Sequence, residues 1–170
     1  IRTQGWLYLR WLPTPNVPRT IIVQIKGNNA NMITVVSGKA PVSTGFGSSR
    51  GFVLFDNNLF GQTLVLYRRA LAALKAGSSS FQSTALIPQV GQELPVSVER
   101  GEPVKISANG KVLQVDRLIV TLEIQGKAQQ LELLGQGERF IGLLSPGQST
   151  PAVFRSDLFP QGFTVVSPPS

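Results

Sequence analysis

Along most of this chain, apolar and polar positions alternate in short runs, the two-residue period of half-buried β-strands. Residues 5–12, GWLYLRWL, put Trp6, Tyr8 and Arg10 on one face and Leu7, Leu9 and Trp11 on the other. Large groups on both faces predict a strand covered on two sides or set at a contact surface. Residues 13–19 read as a connector, because Pro disfavours helix and removes ladder donors. Strands over 20–26 and 32–37 follow, as a hairpin around the turn-forming cluster Gly27–Asn31. Residues 38–51, GKAPVSTGFGSSRG, read as a flexible stretch of small residues, and 51–55 as a short buried strand.

One segment changes period. Asp56-Asn57-Asn58 offer a turn and an N-cap, after which Phe60, Leu64, Tyr67, Leu71 and Leu74 recur at helical spacing. They predict one amphipathic α-helix over residues 59–76, with Gly77 as its C′ stop and Lys75 in its last turn. Arg68 and Arg69 fall toward its exposed side. Residues 78–92 are irregular and polar apart from Ala85–Ile87.

The rest is a series of short strands divided by turn signals: Arg100-Gly101, Asn109-Gly110, Gln125-Gly126 and Gly135–Gly137. Short pieces near 152–155 and 162–167 complete it. Before Asp116 the apolar positions are odd (Leu113, Val115) and after it even (Leu118, Val120, Leu122, Ile124), so a bulge or kink is expected there. The pattern predicts a mainly β fold, an antiparallel β-sandwich or barrel-like meander of short strands with one α-helix. A length of 170 residues suits a single β-rich domain, 1–170. Any division would fall near 78–92, between an N-terminal β-plus-helix unit and a C-terminal meander.

Composition narrows the chemistry. With no His and no Cys, the Ser-His-Asp, Cys-His, His-metal and zinc-thiolate solutions are closed, and neither a metal nor a cofactor is expected. Two enzymatic routes remain. A carboxylate pair for glycoside hydrolysis would be drawn from Asp56, Glu93, Glu99, Glu102, Asp116, Glu123, Glu132, Glu138 and Asp157. A Ser–Lys dyad would come from Ser107 with Lys105, or Ser37 with Lys39, and needs its Lys desolvated. The loop 45–51 has glycines and Arg50 that could cradle an anion, but a strand follows it where a P-loop needs a helix.

The net charge of +7 reflects scarce acids, since 16 basic residues face only 9 acidic ones. It fits an anionic surface or nucleic acid as partner, with Trp6, Tyr8 and Arg10 as one stacking face and Tyr67, Arg68 and Arg69 as another. Charged residues are only 15% of the chain, replaced by Gly, Pro, Ser, Thr, Gln and Asn, a balance common in surface, secreted and assembly proteins. The chain opens on Ile1 without Met, from which a processed start or a fragment is expected. No stretch approaches the ~20 apolar residues of a membrane span. The leading expectation is a non-enzymatic structural or binding subunit of an extracellular, cell-envelope or other large protein assembly. It would act by surface contact with other subunits or with itself. The expected contacts are the strand Trp6–Leu12 and the tail 160–170, where Phe163 and Val165 would pair with an exposed sheet edge. The alternative is a nucleic-acid-binding β module using a basic and aromatic face.

Overall fold

The structure is a computed structural model and describes residues 4–11, 19–55 and 60–166, with only the backbone at 4–11 and 60. Among the described residues it is mainly β with one helix. The chain divides into two compact units, Ile1–Asn58 with Ser83–Pro95, and Leu59–Gln82 with Val96–Ser170.

In the first unit, β1 (Gln4–Trp11), β2 (Arg19–Lys26), β3 (Asn29–Val36) and β4 (Val42–Gly47) form an antiparallel sheet in sequence order. The turn of the β2–β3 hairpin is Gly27-Asn28, with φ +61° at Gly27, so Asn29–Asn31 are ladder residues. β4 lies inside the stretch read from sequence as a flexible loop. Apart from the partly buried Phe46 its residues are exposed, and Ser, Thr and Gly give little apolar pattern, yet all six pair with β3. Ile21, Val23 and Ile25 alternate inward from β2 and pack with Ala30, Met32, Phe52 and Leu86. The short β5 (Phe52–Leu54) runs parallel to β6 (Ser80–Ile87), so the one helix intervenes in sequence between two parallel strands. β6 occupies part of 78–92, which read from sequence as irregular and polar apart from Ala85–Ile87. Its polar Ser83 is fully buried and donates its hydroxyl hydrogen to the Gly51 carbonyl at 3.1 Å.

The helix, α1 (Phe60–Lys75), belongs to the second unit. Leu66, Tyr67, Ala70, Leu71 and Leu74 are its buried residues, while Leu64 is only half-buried. It closes in a Schellman motif: Ser78 N–H donates to Ala73 C=O at 3.2 Å and Gly77 N–H to Leu74 C=O at 3.4 Å, with Gly77 at φ +97°. The remaining strands are β7 (Gln92–Ala108), β8 (Lys111–Ile124), β9 (Lys127–Gln136), β10 (Arg139–Leu144), β11 (Val153–Phe154) and β12 (Thr164–Val166). β7 to β11 pair antiparallel in sequence order, and β12 returns to pair with β7. The β7–β8 turn has positive φ at both Asn109 and Gly110, and the β8–β9 turn at both Gln125 and Gly126. Type I′ hairpins require this at both central residues.

One sequence reading of this sheet needs correction and another needs relocating. Arg100-Gly101 is no turn, because β7 runs through it unbroken. β8 is likewise one strand, and its parity switch at Asp116 marks a bulge in the partner: Gly101 pairs with Arg117 and Val104 with Val115, leaving Glu102 and Pro103 opposite Asp116. Pro103, which has no N–H to give, occupies a site that needs none. Beyond the bulge the buried face changes sides. Leu118 shares a face with Asp116, whose partner Gly135 lies under Tyr67; a Cβ at Gly135 would come within 2.0 Å of the Tyr67 hydroxyl. Val115 shares the opposite face with Leu134 and packs with Val104, Ile106, Ile141, Leu144 and Phe163. A second irregularity, at Ile141 in β10, lets Phe140 meet the Tyr67 ring at 5.7 Å while Gly142 makes room for Phe163.

Gly135→Ala should therefore lower stability by about 1–3 kcal/mol through overpacking against Tyr67, read as a lower urea midpoint. Gln125→Asn should raise it by a few tenths of a kcal/mol, because Asn tolerates the left-handed conformation better than Gln.

Candidate functional site

The residues singled out from sequence lie on different elements. Trp6, Tyr8 and Arg10 lie on β1 at register positions opposite Gln24, Ile22 and Thr20, and their side chains lie outside the described residues, as do Leu12 and the expected N-cap 56–58. On α1, Arg68 is exposed, whereas Arg69 is half-buried with its guanidinium 5.4 Å from the centre of the Phe81 ring. Burial there pulls the Arg69 pKa down. Tyr67, between a stacking role and a core role, takes the core one. It is fully buried and donates its hydroxyl hydrogen to the Gly137 carbonyl at 2.7 Å.

The tail differs most from expectation. Phe163, expected as a surface contact, is 4% exposed and packs edge-on against Phe154 and Phe159. Val165 is partly buried against the same cluster, and its N–H donates to the Ser149 carbonyl at 2.7 Å. Thr164, Val165 and Val166 pair with Ser107, Ile106 and Lys105 of the chain's own β7. The tail fills a sheet edge within the molecule.

The remaining catalytic candidates gain little from their surroundings. A cavity of about 510 Å³ beside the β7 bulge is lined by Glu102, Arg117, Glu132, Gln148 and Ser149 among others. Glu132 stands 3.6 Å from Arg117, whose Nε is buried against Gly101, and Glu102 is exposed. A general acid needs a carboxyl kept protonated by burial, and this arrangement offers an ion-paired one and a solvated one. Asp157 is bound by both nitrogens of the Arg155 fork, which holds its carboxyl below the usual range. Lys105 is exposed, contrary to what a Ser–Lys base requires. Past β4, the donors of the turn 48–51 are taken up within the chain. Ser48 N–H donates to Asn28 C=O, Arg50 N–H to Ser48 Oγ and Gly51 N–H to Ser48 C=O, so these donors are not available to cradle an anion.

The feature that sequence reading missed is the outer strand β4. It ends the four-stranded sheet, and among the described residues no strand pairs with its far side. Its register fixes which backbone groups are unsatisfied. The Ser48–Asn28 bond lies one step beyond the Gly47–Asn29 pair, and bonded pairs alternate along an antiparallel ladder. Val42, Thr44 and Phe46 thus turn N–H and C=O toward β3, while Ser43, Gly45 and Gly47 turn theirs outward. An added Cβ at Gly45 would touch nothing within 4 Å. Val42 is 62% exposed, and β4 contains no charge and no Pro, the usual guards of an open edge.

A second missed signal is in the sequence itself. The first acidic residue is Asp56; before it stand Arg2, Arg10, Arg19, Lys26, Lys39 and Arg50. After residue 55, ten basic residues face nine acidic ones, so nearly all of the +7 belongs to the segment that supplies the four-stranded sheet. Among the described residues no helix is long and apolar enough to cross a membrane. No protein family, curated protein or solved structure matches the chain.

The buried Tyr67 gives a pH signature. Desolvation, with a smaller push from Asp116 against a pull from Arg100, raises its phenol to about 12. A folded-state pKa above the unfolded value of about 10 means that its contribution is intact below pH ~10 and is lost as pH rises toward 12. Alkaline titration of phenolate absorbance should show one tyrosine ionising late, with stability falling over the same window. Tyr67→Phe should remove both effects.

Proposed function

We propose that this chain is a non-catalytic binding subunit that works by contact with other proteins, and that β4 is the element through which it captures an extended segment of a partner. The observation carrying this reading is the outward row of backbone donors and acceptors at Ser43, Gly45 and Gly47 on an exposed, uncharged outer strand. An extended peptide adds to such an edge through main-chain hydrogen bonds, and glycines let its backbone approach closely. The compositional lean toward surface and assembly proteins supports the same reading. An extracytoplasmic setting in a large assembly belongs to the proposal on the same compositional grounds.

Panning linear phage-displayed peptides on the immobilised protein tests it. Peptides with an uncharged, β-prone centre should enrich. Gly45→Pro removes one outward N–H without touching the β3 ladder, and should weaken them by about tenfold or more while leaving the melting temperature and circular dichroism unchanged. Gly47→Pro does the same one step along the edge and serves if the first variant folds poorly. Peptides that bind both Pro variants as well as the parent would overturn the reading. So would a lack of enrichment together with oligonucleotide binding that falls steeply with salt, which is the signature of phosphate contacts.

A further inference from the structure

We infer that the strand captured by β4 is an uncharged run flanked at both ends by acidic residues, a conclusion that rests on the strand-capture reading above. The placement of charge around the edge carries it. Lys39 is exposed in the turn that leads into β4, where its N–H is held by the Val36 carbonyl. Arg50 is exposed in the turn that leaves β4, where its N–H is held by Ser48 Oγ. Between them β4 spans six residues, about 20 Å, without a charge. On β2 the cations likewise sit at the strand ends, Arg19 at its start and Lys26 at its finish. The first 55 residues themselves contain no carboxylate.

This pattern selects among occupants. A second copy of the chain is disfavoured, because a two-fold antiparallel pairing of β4 with itself brings Lys39 of each copy toward Arg50 of the other. A nucleic acid presents phosphate at every step, and the described middle of the sheet, with Ile22, Gln24 and Ile33, offers no cation to meet them. An extended peptide with Asp or Glu at each end satisfies the edge in the middle and the cations at the ends.

The test uses three synthetic peptides sharing a run of about five uncharged β-prone residues, flanked by Glu, by Lys or by Ser, with binding read by fluorescence anisotropy on the full chain. At low salt the Glu-flanked peptide should bind about tenfold tighter than the Lys-flanked one, with the gap shrinking as salt screens exposed pairs. The double variant Lys39→Glu/Arg50→Glu should invert that order. Gly45→Pro should weaken all three alike. If the flanks make no difference while Gly45→Pro still weakens every peptide, the charge inference fails and strand capture stands. If Gly45→Pro changes nothing, strand capture itself fails. Oligothymidylate that binds the parent and the Gly45→Pro variant equally, and is lost in the double charge reversal, would assign the cations to nucleic acid and overturn the inference.

Discussion

The second unit depends on one constraint: its central hairpin must bury one face over part of its length and the opposite face over the rest. A regular ladder cannot do this without changing parity in both strands at once, since side chains alternate strictly. The bulge at Glu102-Pro103 solves it by inserting one residue into β7, so that the buried positions of β7 are even-numbered on both sides of it (Val96 and Val98, then Val104, Ile106 and Ala108) while β8 changes from Val115 to Leu118. The neighbouring strands are built around this changeover. Leu133, Leu134 and Gly135 are buried in succession because β9 is covered on both faces there. Gly135 and Gly142 act as sockets on opposite faces, the first for Tyr67 of α1 and the second for Phe163 from the tail. Either socket filled by a side chain would displace an aromatic ring that anchors one of the two hydrophobic layers.

The two units treat their edges differently, and this gives the candidate site its weight. In the second unit the end strand β11 is only two residues long, and β12 occupies part of β7. Short edge strands and covered edges are recognised protections against unwanted pairing. β4 has neither. It is six residues long, flat in composition, and presents glycine at two of its three outward positions. Under the strand-capture proposal, such an open and unguarded edge is the contact element, in preference to the cavity beside the β7 bulge.

Much of this fold was legible in the sequence wherever local physics dictates it. Asn109-Gly110 and Gln125-Gly126 form turns because few residues tolerate positive φ, and α1 announces itself by its period and its Gly77 stop. Failures came where the reason for a residue lies across the chain. Gly101 is small to clear Arg117 and Ile119, not to turn the backbone, and nothing nearby distinguishes the two uses. β4 lacks alternation because neither of its faces is deeply buried, so its pairing with β3 leaves no periodic trace. Phe163 looked like an exposed anchor because three strand residues in a Pro-rich tail carry no pattern, and only packing against Phe154, Phe159 and Gly142 makes it core. The parity switch at Asp116 was readable, but a bulge that preserves burial parity in its own strand shows itself only in its partner.

The chemistry of β4 also limits how a partner could be chosen. Backbone pairing is indifferent to sequence, and Gly45, Gly47 and Ser43 offer almost no pocket in which a side chain could be read. Under the strand-capture proposal, selectivity would come from what flanks the strand, namely the cations at Lys39 and Arg50. These lie further apart along β4 than the ~8 Å screening length at physiological salt, so each end acts nearly independently of the other. Two weak, additive charge contacts framing a sequence-blind ladder would favour segments by their charge pattern, not by their detailed sequence. The acid-free first 55 residues extend that preference from the two contacts to the whole segment.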